Sequence, residues 1–217
     1  MPPKRPLNKK TVSFSDSQTP QCSQDGQCVV PFSWKTLPVH IPTLVYSLFT
    51  QDLSPSNIVP LLTQYLYYLL AAQLLFSIPF NSIILEHRKS KPRTIKFSLG
   101  QDYSLILISL IIITLAVPPI YILLVAFGAP FTTYLPETLL LAAHITTLCL
   151  PSVVSCLKLA QLHPSFYKYF ASVVIGGWLG AIAIPLDWDR PWQNWPMPII
   201  GGAYLGATVG YTLGWVI

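Results

Sequence analysis

Apolar residues in this chain come in long blocks, separated by short polar connections rich in proline. A helix needs about 20 mostly apolar residues to cross a bilayer, and blocks of that order fall at about 58–85, 104–126, 137–157, 169–186 and 197–217. Pro60 stands near the start of the first block and Glu86 ends it. Pro118 and Pro119 lie inside the second and predict a bend or interruption, because proline removes a backbone donor and clashes with the preceding turn. Pro136 and Glu137 open the third, where proline's fixed φ and a carboxylate facing the helix dipole both suit a first turn. A shorter apolar stretch over 37–50, holding Pro38, His40 and Pro42, has a length that fits a short, tilted or re-entrant segment as well as a full crossing, and is read as a further crossing.

Charge placement supports six. With a cytosolic N-terminus and six crossings, twelve of the 13 basic residues fall on the cytosolic side. They are Lys4, Arg5, Lys9, Lys10 and Lys35, then Arg88, Lys89, Lys91, Arg93 and Lys96, then Lys158 and Lys168. Arg190 alone lies opposite, with Asp52, Asp187 and Asp189. That asymmetry is the positive-inside pattern. The expected fold is an all-α membrane protein, a polytopic helical bundle of about six transmembrane helices with both termini cytosolic. Residues 1–35 read as a disordered basic tail, too poor in apolar surface to fold and without the apolar core of a secretory leader. Residues 36–217 read as the transmembrane domain.

Composition agrees. The chain is 52% hydrophobic and 10% charged, against about 25% charged in a soluble domain. A net charge of +5, gathered at the tail and around 88–96, orients a membrane protein and does not line a nucleic-acid groove. Cys22 and Cys28 match no common zinc spacing and read as free thiols. Cys149 and Cys156 share a helical face and read as packing residues.

Two features carry local information. Gly202, Gly206, Gly210 and Gly214 recur every four residues in the last block, and Gly176 and Gly180 repeat that spacing in the block before it. Small residues at this interval let helix backbones approach closely in lipid, either within one molecule or against the helix of a partner. Between the two blocks, the segment from Pro185 to Pro196 packs Asp187, Trp188, Asp189, Arg190, Pro191, Trp192 and Trp195 into an interfacial loop. Its charges are costly in hydrocarbon and its tryptophans favour the membrane boundary.

Candidate chemistry is sparse. Asp187 and Asp189 are of the type that binds a hard cation or works as acid and base, but turn formation is the commoner use of Asp in such a loop. His144 and Glu137, two turns apart on one helix face, are intramembrane polar residues and so functional candidates. The blander reading makes His144 a neutral residue hydrogen-bonded to a neighbouring helix near Thr146 or Thr147. No phosphate-binding loop, zinc-protease motif or nucleophile elbow is present. No catalytic residue, metal ligand or cofactor is assigned.

Two segments resemble a known family. Phe127-Gly128-Ala129-Pro130 followed by Pro136-Glu137-Thr138 is one. The other joins Trp178-Leu179-Gly180-Ala181 to the run from Ile184 to Pro196 and to Gly206-Ala207-Thr208-x-Gly210-Tyr211. Together they are similar to the C-terminal signature of the phosphatidylinositol-glycan biosynthesis class F protein family. The likeness covers about residues 100–217; the first two blocks agree in hydropathy only, and the longer N-terminus looks like the fungal branch. The resemblance implies a multi-pass endoplasmic reticulum protein of glycosylphosphatidylinositol (GPI) anchor assembly. It implies a non-catalytic subunit that binds and stabilises larger ethanolamine phosphate transferases, which add phosphoethanolamine to mannoses of the lipid-linked glycan. Two alternatives stand beside it: a transferase in its own right using Asp187 and Asp189, and a lipid transporter or flippase with His144 and Glu137 lining a path.

Overall fold

A computed structural model describes residues 37–88, 99–159, 164–186 and 188–213. All regular structure among these is helical. The helices are α1 (His40–Phe49), α2 (Ile58–Arg88), α3 (Leu99–Ala126), α4 (Leu135–Leu148), α5 (Leu150–Leu159), α6 (Pro164–Ala181) and α7 (Met197–Leu213), with a single 3-10 turn at Pro191–Gln193. Asp187, Gly214 and the tail 1–35 lie outside the described residues.

Proline sets most of the helix starts. Pro42, Pro60, Pro136, Pro151, Pro164 and Pro198 each fall within the first three residues of a helix, so six of the seven helices begin this way. The first N–H groups of a helix have no intrahelical acceptor, so a residue lacking that hydrogen costs nothing there. Glu137 adds a carboxylate to the first turn of α4, where the dipole favours it.

The segments differ from the sequence reading in three places. Pro118 and Pro119 do not interrupt α3, which continues through both. The block at 137–157 is two helices that meet at Cys149. Pro151 cannot donate to the carbonyl of Thr147, and Cys149 closes α4 through its own N–H. The helix placed at 169–186 begins earlier, at Pro164, and ends at Ala181, after which residues 182–186 form turns.

The core gathers around α2, α4 and α7. Leu62, Tyr65 and Leu69 of α2 meet Leu141, Ile145 and Leu148 of α4, and Ile200, Ala203, Tyr204, Ala207 and Tyr211 of α7. Ile41 and Leu48 of α1 complete one side, Tyr169 and Val173 of α6 another. A smaller cluster of Ile113, Leu150 and Val154 joins α3 to α5 and is flanked by Leu70 and Leu74 of α2. Elsewhere α3 is peripheral, with Leu107, Ile111, Leu115 and Ile122 exposed.

Two helices are long and apolar enough to cross a membrane among the described residues, over Ile58–Ser77 and Ile106–Ala126. Most exposed positions of the second span are also apolar, as lipid contact requires and water does not, whereas the first exposes Gln64, Tyr67 and Tyr68 beside Ala71 and Leu75. Membrane character thus rests on these two. The ten residues of α1 make about 15 Å of helix, half of a hydrocarbon core of about 30 Å.

Candidate functional site

The glycines of α6 and α7 face one another. A Cβ placed on Gly176 would overlap the Gly202 carbonyl and come within 2.8 Å of the Gly206 Cα. One on Gly180 would meet the Pro198 carbonyl, and one on Gly206 the Ser172 carbonyl. At Gly210 it would collide with the Ser172 hydroxyl and lie 2.9 Å from the Tyr169 ring. At Gly176, Gly180 and Gly206 the contacts are with backbone atoms, so the neighbours cannot rotate away. The seam holds two helices of the same chain together, and dispersion over that close contact is what binds helices in lipid. Gly177 is different: a Cβ there makes only ordinary contact with Ile199, at 3.5 Å.

Polar groups inside the bundle are tied to specific partners. His144 on α4 is 1% exposed. Its Nε2 lies 3.1 Å from the Leu62 carbonyl of α2 and its Nδ1 lies 2.7 Å from the Tyr204 hydroxyl of α7. A carbonyl only accepts, so Nε2 carries the hydrogen, and Nδ1 accepts from the Tyr204 O–H. One side chain thus bridges three helices with both nitrogens engaged. Thr146 and Thr147 are not its partners; their hydroxyls donate to the Ala143 carbonyl of their own helix. Glu137 sits two turns away, and its Oε2 is buried without a hydrogen-bond partner.

One turn beyond His144, the α4–α5 break exposes the Leu148 carbonyl to side-chain donors. Tyr169 of α6 donates to it at 2.7 Å, and Gln73 of α2 and Tyr211 of α7 approach at 3.4 Å. The Tyr169 and Tyr211 rings also stack, with centroids 4.2 Å apart. Four helices therefore converge on one oxygen, which secures a carbonyl that apolar surroundings would otherwise penalise.

The loop after α6 is organised by three consecutive residues that the sequence reading did not single out as a group. Gln193 donates to the Ala183 carbonyl at 2.9 Å and to that of Leu186, and its Oε1 accepts from the Arg190 N–H at 3.1 Å. Asn194 donates to the Leu53 carbonyl in the α1–α2 connection at 3.3 Å. Trp195 donates through Nε1 to the Thr138 hydroxyl at 3.2 Å. Thr138 in turn donates to the Tyr134 carbonyl at 2.8 Å and approaches that of Pro130 at 3.3 Å. Three connections at one end of the bundle are thereby joined. Trp188 and Trp192 lie beside each other with centroids 5.7 Å apart. Asp189, at φ 49°, is exposed, as are Arg190 and Pro191. Among the described residues no group of three or more His, Cys, Asp or Glu side chains is arranged to hold a metal ion.

The signature residues are therefore structural neighbours: the glycines form one helix pair, and the Trp195 and Thr138 motifs, far apart in sequence, touch. The family model for the GPI biosynthesis protein family Pig-F matches residues 36–215. The chain belongs to the Pig-F family. Two yeast relatives, both called glycosylphosphatidylinositol anchor biosynthesis protein 11, extend the likeness beyond the C-terminal half. The Candida glabrata protein is 37% identical over 99% of this chain and 99% of its own length. That of Saccharomyces cerevisiae is 37% identical over 95% of this chain and 94% of its own. The Yarrowia lipolytica relative reaches 42% over 54% of this chain. No solved structure matches the Pig-F chain described here. Family and relatives together support a part in GPI-anchor biosynthesis.

Proposed function

We propose that this Pig-F protein is a non-catalytic membrane subunit of GPI-anchor biosynthesis that binds and stabilises the ethanolamine phosphate transferases of the pathway. The observation that carries the reading is the engagement of His144. His144, buried in the core, has both nitrogens committed to Leu62 and Tyr204, which suits a fixed brace and suits neither a proton carrier nor the wall of a lipid path. The α6–α7 seam and the joined loops point the same way, towards a rigid body that other helices can rest against.

In this proposal the protein resides in the endoplasmic reticulum membrane as a six-crossing bundle, the short α1 being accommodated by local thinning of the bilayer. The loop from Pro185 to Pro196 faces the lumen and both termini face the cytosol. The topology draws on the distribution of basic residues. Neither α4 nor α5 is long enough to cross alone, at 14 and 10 residues, so the two together make one crossing.

The test is depletion of the chain in cells, with quantification of transferase protein and of lipid-linked glycan intermediates. Transferase abundance is expected to fall, and glycans lacking a late phosphoethanolamine to accumulate. Transfer of phosphoethanolamine by the purified chain alone would overturn the reading in favour of an enzyme.

A further inference from the structure

Aromatic side chains on the outside of the bundle gather at one end. Nine are exposed among the described residues. Six of them, Tyr46, Phe127, Phe131, Tyr134, Trp178 and Trp188, lie where the α1–α2, α3–α4 and α6–α7 connections meet. Tyr46 stands three residues before the end of α1 at Phe49, and Trp178 three before the end of α6 at Ala181. Each is thus about 4.5 Å from its helix end. Phe127 directly follows the apolar span that closes at Ala126, Phe131 lies in the connection beyond it, and Tyr134 is the N-cap residue of α4. These connections are hydrogen-bonded to one another through Asn194 and Trp195, so the six belong to one joined end.

The polar tips of these side chains are not used inside the protein. Aromatic residues that face the core are answered within the chain: Tyr204 by His144, Tyr169 by the Leu148 carbonyl, Trp195 by Thr138. The Tyr46 and Tyr134 hydroxyls and the Trp178 and Trp188 N–H groups have no such hydrogen-bond partner among the described residues. Away from this end the outer surface turns aliphatic, with Ile111 and Leu115 of α3, Ile175 of α6, and Leu205 and Val209 of α7 exposed. Tyrosine and tryptophan concentrate at the boundaries of a membrane. There the ring lies against apolar chains while its polar tip reaches headgroup oxygens and water. Tyr67 and Tyr68, nine and ten residues after the start of α2, and Tyr167, at the opposite end of α6, stand apart from the group.

We infer that Tyr46, Tyr134, Trp178 and Trp188, with Phe127 and Phe131, form a girdle seated in the headgroup layer of one leaflet. This end of the bundle then lies level with the membrane surface, neither projecting beyond it nor sinking into hydrocarbon. The partner is a lipid surface, whose ester and phosphate oxygens accept from two indole N–H groups and two hydroxyls. Trp195 takes no part, because its N–H is given to Thr138. With the boundary at this level, His144, ten residues beyond Tyr134, lies about 15 Å deep, midway through a hydrocarbon core of about 30 Å. The proposed topology enters only in naming the leaflet lumenal; the depth depends neither on it nor on any partner subunit.

Nitroxide labels on single cysteines measure the depth in the full chain, reconstituted in phosphatidylcholine vesicles after replacement of Cys22, Cys28, Cys149 and Cys156. Tyr46→Cys, Tyr134→Cys and Trp178→Cys are compared with Leu115→Cys, which lies eleven residues before the end of α3 at Ala126. Collision rates with oxygen, which gathers in hydrocarbon, and with a water-soluble nickel chelate give each label's depth. The labels at 46, 134 and 178 are expected within about 5 Å of one plane, at headgroup level and open to both reagents. The label at 115 is expected about 16 Å deeper and open to oxygen alone. All four replaced side chains are exposed; an unchanged melting temperature shows that each labelled chain folds, and Phe127→Cys and Phe131→Cys stand in for any that does not. Labels at 46 and 178 as deep as 115, depths that differ among the three by two helical turns or more, all three in open water, or all three shielded from both reagents by a second copy of the chain would each overturn the girdle. Those outcomes leave the subunit proposal standing; it falls instead with transferase abundance that does not change on depletion.

Discussion

His144 shows how a polar residue becomes tolerable inside an apolar bundle. Its ring is held between a hydroxyl on α7 and a carbonyl on α2, so losing any one partner strands another. Tyr204→Phe is expected to destabilise the bundle by about 1 kcal/mol, and His144→Leu by somewhat more, in the range of interhelical hydrogen bonds in membranes. The double variant should cost less than the sum of the two, since the bond is lost only once. Reversible unfolding in mixed micelles measures all three; strict additivity would show that His144 and Tyr204 act separately. Sequence alone made His144 a residue to watch, but its partners lie 82 and 60 positions away in the chain, beyond what local spacing reports. Gln193 and Asn194 were overlooked for another reason. Asp187, Asp189 and Arg190 drew attention through charge, whereas the bracing falls to neutral amides, whose donors reach backbone carbonyls. Two amides together between Pro191 and Pro196 were the available signal.

At the scale of single helices, the α6–α7 pair is the clearest case of a pattern legible in sequence whose use was not. A four-residue glycine period forecasts close approach, and the structure adds that the approach is between neighbours in one chain. Gly206→Leu must push aside the Ser172 carbonyl. It is expected to cost about 3 kcal/mol or more, the upper range for overpacking, and to lower both the melting temperature and the abundance of the protein. Gly177→Ala meets Ile199 and Ala203 at ordinary contact distances and should stay within about 0.5 kcal/mol of the unaltered chain. Equal melting temperatures for the two variants would show that the seam does not hold the pair. Helix ends were legible to differing degrees. Proline in a first turn is easy to place, and five of the long apolar blocks lie on helices. The two prolines in α3 predicted a bend or an interruption, and the helix runs on through both, because an interior proline bends or ends a helix according to what surrounds it. The single Pro151, less conspicuous, ends one because Tyr169, Gln73 and Tyr211 wait on the far side to receive the freed turn.

For the whole molecule, class was readable from composition and block length, and orientation enters through the basic residues. Single cysteines at Lys168 and Arg190, introduced after replacing Cys22, Cys28, Cys149 and Cys156, make the topology measurable. An impermeant thiol reagent applied to sealed microsomes is expected to label position 168 from the cytosolic side and position 190 only after the membrane is opened. Labelling of both from one side would remove the crossing by α6. The arrangement of contacts between helices was beyond sequence reasoning, since apolar blocks of similar composition are interchangeable until specific shapes select their neighbours.

The mutual burial of the glycines on α6 and α7 has a consequence for any complex this chain enters. Grooves that usually welcome a foreign helix are already closed, and the rim left to visitors is studded with bulky rings such as Tyr46, Tyr67 and Trp178. Fit then has to be cut into the visitor: it brings the hollows, and this protein brings the pegs.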